Sequence, residues 1–124
     1  MRRITPAAAY EELPCSIVSV GCALGYAHSD EISAITPRGL RSDGYLSLQG
    51  MDDLLKANMR VIRRVYYKRG ERPRLWDFMR ENKGRRAVLC LLGHFVYFDG
   101  EDYHSFLKND GDLVVKAWYV EDKQ

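Results

Sequence analysis

The fold of this chain is decided by the stretch RAVLCLLGHFVYFDGEDYHSF, residues 86–106. Two apolar runs flank a Gly-His step, and a turn signal at Asp99-Gly100-Glu101 follows the second run. Short runs of apolar, β-branched and aromatic residues bounded by turn residues predict strands. We therefore predict strands at 86–92, 94–98 and 102–106, joined as an antiparallel meander.

The second and third of these strands each carry a histidine, His94 and His104. A three-residue turn at 99–101 would pair Phe98 with Asp102 and Val96 with His104. The two histidines would then share a face, roughly 7 to 8 Å apart at the backbone. A two-residue Asp-Gly turn would put them on opposite faces. The length of the turn therefore decides whether His104 can reach His94.

Far upstream, the segment CSIVSVGCALGY (15–26) is apolar on nearly every side, which predicts a buried helix that begins after Pro14 and stops near Gly25. The partial positive charge at a helix N-terminus lowers the pKa of a thiol placed there. Cys15 is therefore a candidate nucleophile with His94 as its base, or else a small buried apolar residue. Cys22 and Cys90 we expect to be buried apolar side chains.

The remaining segments predict an α+β order, with helices first and an antiparallel sheet after them. Apolar residues repeat at helical spacing in LQGMDDLLKANM (48–59), and Pro73 precedes a second helix at 74–82. Further strands are predicted at 61–69 and 113–120. Residues 28–47 hold two short helix starts, at Ser29 and at Thr36-Pro37, and a Gly-rich connection, while residues 1–14 are irregular or form one short turn. We find no repeat or linker and predict one domain over residues 1–124.

Composition excludes several classes of protein. The chain has 124 residues, of which 46% are hydrophobic and 29% charged, as in a soluble globular protein. Three cysteines without paired spacing argue against a disulfide framework, and with three scattered histidines they argue against a zinc site. We expect no metal and no cofactor. No run approaches the ~20 apolar residues of a membrane span, and the N-terminus lacks the apolar core of a signal peptide, so we expect a cytoplasmic location without membrane association.

A cysteine at the head of a buried helix, a Gly-His step opening a strand and a polar residue on the next strand resemble the papain-like cysteine peptidase superfamily. LPCSIVSVGCALG (13–25) resembles the nucleophile helix of its compact bacterial and phage members. GHFVYFDGEDYHSF (93–106) is similar to the His strand and hairpin of bacteriocin-processing-type peptidases and cell-wall endopeptidases. The resemblance covers about half of the chain. It implies a papain-like α+β fold, in which the buried N-terminal helix packs on the sheet of the C-terminal half.

By this resemblance Cys15 would be the nucleophile, His94 the base and His104 the residue that orients His94. Such a Cys-His-His triad would attack an amide or isopeptide bond of a peptide or protein substrate. The family's usual Gln upstream of the cysteine is missing here, and Tyr10 is the candidate donor to the oxyanion. The alternative third members are Asn109, Asp110 and Asp112.

A non-catalytic module with the same fold is the alternative function, one that binds a protein partner or nucleic acid through the basic segment 60–86. This segment holds eleven Lys and Arg residues against three acidic ones. Interleaved arginine and tyrosine suit single-stranded nucleic acid, although a net charge of +2 is weak for that partner. The candidate residues are Arg60, Arg63, Arg64, Tyr66, Tyr67, Lys68, Arg69, Arg72 and Arg74. A protein that binds and blocks a partner protein is a third reading.

Overall fold

The structure, a computed structural model, describes residues 1–37 and 46–123 and has an α+β fold. The helices within these residues are α1 (Cys15–Leu24), α2 (Ser29–Ile35), α3 (Leu48–Asn58) and α4 (Leu75–Glu81), with one 3-10 turn at Ala8–Tyr10. The strands are β1 (Arg3–Ile4), β2 (Arg60–Tyr66), β3 (Ala87–Leu91), β4 (His94–Phe98), β5 (Tyr103–His104) and β6 (Val114–Glu121). No helix in the described ranges has the length and apolar character needed to cross a bilayer.

Most predicted elements are confirmed. Seven elements begin and end within three residues of their predicted bounds. They are the helices α1, α3 and α4 and the strands β2, β3, β4 and β6. The helix start at Ser29 is that of α2. The Gly-rich connection and the helix start proposed after Thr36-Pro37 fall largely on residues 38–45, outside the described part of the chain.

The sheet is mixed, and the prediction of a purely antiparallel sheet from the C-terminal half is wrong. Its strand order is β1-β5-β4-β3-β6-β2. The N-terminal β1 runs parallel to β5, with Arg3 opposite Tyr103 and Ile4 opposite His104. The other pairs are antiparallel. A two-residue strand carries no periodicity in its own sequence, so β1 exists because the edge of β5 offers it backbone partners.

Apolar side chains form a core on each face of the sheet. One core joins α1, α2 and α3 to Val88, Phe95 and Trp118, and the other joins α4 to Leu89, Val96 and other residues of the opposite face. Successive residues of a strand point to opposite faces, so one apolar strand such as β3 supplies both cores. The helix α1 packs mainly against β4, and this contact brings its first residue near the start of that strand.

The bounds of α1 follow from the residues at its two ends. Pro14 precedes it in an extended conformation, with φ −58° and ψ 143°. Gly25 ends it in the left-handed region at φ 75°, and its backbone N–H returns to the carbonyl of Cys22. The side chains between these ends are buried almost all round, which is why the helix has no polar face.

The hairpin between β4 and β5 has a four-residue turn, so the three-residue turn predicted from the sequence is wrong. Phe98 pairs with Tyr103 and Tyr97 with His104. The Asp99 carboxylate accepts hydrogen bonds from the backbone N–H groups of Glu101 and Asp102, both at 2.8 Å. This side-chain capping closes the longer turn, a local use of Asp that competes with the tighter hairpin.

Candidate active site

Cys15 and His94 lie at the same place in the fold. Each is the first residue of its element, α1 or β4, and these two elements pack together. Both residues, with Phe95, line two small clefts of about 80 and about 150 Å³. The smaller cleft is completed by Leu46, Leu48, Cys90 and Gly93, and the larger by Leu13, Val18, Ser105 and Phe106.

Local backbone geometry places both residues. Leu91 pairs directly with His94, so residues 92 and 93 form a two-residue hairpin turn. Gly93 has φ 78°, a value that glycine adopts without strain. Ahead of α1, Glu12 has φ 65°, which is unusual for a residue with a side chain. The chain thus turns sharply just before Leu13, and Leu13 becomes a wall of the larger cleft.

A series of hydrogen bonds links His94 through Ser105 and Asn109 to Asp112. His94 Nε2 lies 3.1 Å from Ser105 Oγ, and Ser105 Oγ lies 2.8 Å from Asn109 Oδ1. Asn109 Nδ2 donates to Asp112 Oδ2 at 2.7 Å. Ser105 and Asn109 are 2% and 5% exposed, so water competes little for the hydrogen bond between them, whereas Asp112 is exposed.

The hydrogen bond between Asn109 and Asp112 determines the tautomer of His94. Because Asn109 Nδ2 must donate to the Asp112 carboxylate, Asn109 Oδ1 is left as an acceptor, and the Ser105 hydroxyl must donate to it. The Ser105 oxygen then accepts from His94, so Nε2 carries the proton. His94 Nδ1 is left unprotonated and is the nitrogen that can act as a base.

The pKa of His94 lies below its ordinary value of 6.5, because burial disfavours the charged imidazolium more than the negative charge of Asp112 favours it. His94 is therefore neutral at pH 7. A neutral imidazole with a free Nδ1 can accept a proton from a neighbouring thiol.

We expect Asp112→Asn to lower the pKa of His94 further, since the substitution removes the charge that raises it while Asn still accepts the hydrogen bond from Asn109. The pKa and the protonated nitrogen are both measured by NMR of the 15N-labelled imidazole across a pH titration. Asp110→Asn is the matched control, because Asp110 accepts a hydrogen bond from Tyr103 and does not act on His94. An increase of the His94 pKa in Asp112→Asn would contradict this electrostatic account.

The three cysteines are free thiols in different settings. Burial raises the pKa of Cys22 to about 12. Burial, with a further contribution from Cys15, raises that of Cys90 to about 11. Both are therefore protonated at neutral pH. Cys90 is nevertheless half-buried and lines the smaller cleft, so the prediction that it is a buried apolar side chain is confirmed only in part.

His104 bonds Asp99 and does not contact His94 as predicted. His104 Nε2 lies 2.8 Å from Asp99 Oδ2, and its ring lies 5.2 Å from that of Tyr97, the residue opposite it on β4. Tyr97 alternates with Val96, so the register puts His104 on the other face from the one predicted. Extending the same register by one residue places Ser105 opposite Val96, which is the position predicted for His104.

Tyr10 is also placed away from the clefts. It is fully buried, and its hydroxyl donates a hydrogen bond of 2.6 Å to the carbonyl of Tyr26, just beyond the C-terminal end of α1. Its ring packs over Gly21. The hydroxyl predicted to serve an oxyanion therefore fixes the far end of the helix.

Of the alternative third members, Asn109 and Asp112 belong to the series of hydrogen bonds that starts at His94, whereas Asp110 bonds the Tyr103 hydroxyl. Ser105, which touches His94 directly, was not among the predicted residues. The polar positions from 99 to 112 pointed to this region, but the choice of Ser105 required the register of the hairpin.

The residues of the basic segment 60–86 make different contacts and do not all face solvent. Arg60 lies 3.2 Å from Glu121, and Arg64 binds the buried Asp52. Arg74 donates to the carbonyl of Gly111. Tyr67 packs edge-on against Phe78 and is not an open stacking platform. These contacts give the nucleic-acid alternative less support than the sequence did.

The chain was compared with protein-family models, with curated proteins and with solved structures, and none of the three comparisons found a match. Within residues 1–37 and 46–123, no group of three or more His, Cys, Asp or Glu side chains is placed to hold a metal ion.

Proposed function

We propose that this protein is a papain-like cysteine hydrolase that cleaves an amide bond of a peptide or protein, with Cys15 as nucleophile and His94 as base. The observation that carries the proposal is that a cysteine at the first turn of a buried helix and a histidine at the start of the neighbouring strand line the same two clefts. The order of these residues along the chain is that of the papain-like superfamily. Ser105 takes the place of the third residue, which positions the imidazole.

The proposed reaction uses both nitrogens of His94. Nδ1 takes the proton of Cys15 Sγ, and the thiolate attacks the carbonyl carbon to form a tetrahedral oxyanion. The imidazolium then protonates the amide nitrogen, the C–N bond breaks, and the amine leaves while the acyl group stays on Cys15 as a thioester. A water molecule, which gives a proton to His94, hydrolyses the thioester and releases the acid. Throughout, the Nε2–H bond to Ser105 holds the ring plane, as a buried third residue does in other triads.

The first turn of α1 offers a donor for the oxyanion. The first N–H groups of a helix have no carbonyl of their own helix to bond. The backbone N–H group of Cys15, the first residue of α1, is therefore the proposed donor in place of Tyr10. The walls on either side are mainly apolar, among them Leu13, Val18 and Leu48, which favours substrates with small apolar side chains near the scissile bond.

Iodoacetamide at neutral pH tests the nucleophile. We expect Cys15 to be alkylated at least about tenfold faster than Cys22 and Cys90, because only a thiolate reacts and the pKa values of the other two are raised. Peptide mapping by mass spectrometry identifies the modified residue. Cys15→Ala should lose the fast labelling, whereas the matched variant Cys22→Ser should keep it. If Cys15 reacts no faster than free glutathione, the proposed nucleophile is not activated.

A further inference from the structure

Two of the three free cysteines line one cleft. Cys15 is the first residue of α1, and Cys90 lies on β3, directly opposite Phe95. Both cysteines line the cleft of about 80 Å³, together with His94 and Phe95, whereas Cys22 does not line it. The fold therefore brings two thiols from distant parts of the chain to one place.

The register of β3 directs the Cys90 side chain toward α1. Alternate residues of a strand point to opposite faces. Val88 belongs to the core shared with α1, whereas Leu89 and Leu91 belong to the other core. Cys90 therefore shares the face of Val88, and it packs on the same core as Cys15. The charge of a Cys15 thiolate also contributes to the raised pKa of Cys90, as a nearby like charge does.

The position of Cys22 excludes it as a partner of Cys15. The two residues lie on the same helix, seven positions apart, so their Cα atoms are separated by about 10 Å along its axis. A disulfide requires Cα atoms within about 7 Å of one another. Of the three cysteines, Cys90 is the one that comes from another element and faces the cleft with Cys15.

We propose that hydrogen peroxide joins Cys15 and Cys90 in a disulfide, which removes the Cys15 nucleophile until a thiol reductant restores it. The consequence for catalysis rests on the proposed hydrolase, whereas the bond itself requires only the two thiols. The cleft would thus hold a reversible modification site beside the candidate catalytic pair.

The proposed oxidation has two steps. The Cys15 sulfur attacks one oxygen of hydrogen peroxide, the O–O bond breaks, and the departing oxygen takes the thiol proton, which gives a sulfenic acid and one water molecule. The Cys90 sulfur then attacks the Cys15 sulfur, the S–O bond breaks, and hydroxide leaves with the Cys90 proton as a second water molecule. The two thiols lose two electrons in all, and the peroxide is reduced to water.

The surroundings of the two thiols determine the order of these steps. Burial, with a further contribution from Cys15, raises the pKa of Cys90 to about 11. Cys90 is therefore protonated at pH 7 and does not react with peroxide first, because the thiolate is the nucleophile. His94 lines the same cleft, and as a neutral base it can carry the Cys90 proton to the departing hydroxide.

Intact-mass spectrometry tests the proposal on the reduced wild-type chain, treated with hydrogen peroxide at pH 7 and then unfolded in N-ethylmaleimide, which caps each remaining thiol. We expect one maleimide, on Cys22, where the untreated chain takes up three, and dithiothreitol should restore all three. Cys22→Ser should take up none after peroxide. Cys90→Ser is the matched control, because its two thiols are too far apart to join, and it should form a Cys15 sulfenic acid that dimedone traps.

The rate at which iodoacetamide alkylates Cys15 should fall by about tenfold or more after peroxide and recover with dithiothreitol. Two or three maleimides on the peroxide-treated wild-type chain overturn the inference, and so does a disulfide-linked dimer. Fast alkylation of reduced Cys15 alongside any of these results leaves the hydrolase standing. Slow alkylation of reduced Cys15 contradicts the hydrolase, and the mass after peroxide then still decides whether the disulfide forms.

Discussion

Replacing Asp52 by alanine is expected to lower the free energy of unfolding by about 3 kcal/mol. Asp52 lies on α3 and is 7% exposed. Its Oδ1 accepts hydrogen bonds from Arg64 Nε and, at 3.1 Å, from the indole N–H of the fully buried Trp118. Alanine would leave that indole N–H without an acceptor, and Arg64 would lose its partner. Because Arg64 is partly exposed and water can solvate it, the cost lies at the lower end of the range for a broken buried ion pair.

Chemical denaturation of Asp52→Ala and Asp52→Asn measures this cost. Asparagine keeps an acceptor for Trp118 and loses only the charge, so it should cost about 1 kcal/mol. The hydrogen bond from Arg64, supported by Trp118 and Lys56, holds the pKa of Asp52 below its ordinary value. The charge therefore stabilises the fold above the ordinary Asp pKa, and its contribution is lost as pH falls toward the lowered pKa. The two variants should differ from wild type less at low pH, and a gap that widens there would contradict the assignment.

Gly21→Ala is expected to destabilise the protein by about 3 kcal/mol, at the upper end of the cost of overpacking. A Cβ built on Gly21 would lie 2.1 Å from the Tyr10 hydroxyl and under 3 Å from two of its ring carbons. Tyr10 is fully buried and bonded to the Tyr26 carbonyl, so its ring has no room to move aside. Either that bond breaks or α1 shifts on the sheet.

Thermal and chemical denaturation test the prediction with two controls. Gly50→Ala on α3 is the matched substitution. Its Cβ would lie 3.3 Å from the hydroxyl of Ser47, which caps α3, a far looser contact than the one at Gly21, so we expect a change within about 1 kcal/mol. Combining Gly21→Ala with Tyr10→Val should cost less than the sum of the two single changes, because the smaller side chain makes room for the methyl group. Additive costs would show that Tyr10 and Gly21 do not compete for the same space.

The sequence predicted best the elements whose residues are apolar and buried along most of one continuous segment. The apolar run after Cys15 and the apolar strands β3 and β4 are examples, because most side chains of each segment are buried in the two cores. The strand β1 was missed because its two residues owe their conformation to β5, about a hundred positions away. The parallel pair that makes the sheet mixed could not be read from either segment alone.

In the candidate site, the sequence predicted Cys15 and His94 but not Ser105. Cys15 and His94 open their elements, so their positions follow from where the helix and the strand begin. The residue behind His94 depends on register, and a turn longer by one residue exchanged His104 for Ser105. The sequence signal for that turn is Asp99, whose carboxylate caps two backbone N–H groups, but an Asp-Gly pair is equally typical of shorter turns.

The pairing of Cys15 with His94 is tested most directly by the rate of alkylation of Cys15 by iodoacetamide at pH 7, in a chain whose other cysteines are replaced by serine. Because the base promotes formation of the reactive thiolate, His94→Asn should slow the reaction by about tenfold or more, and His104→Asn should leave it within about twofold of the parent. An unchanged rate in His94→Asn, or an equal loss in His104→Asn, would contradict the pairing.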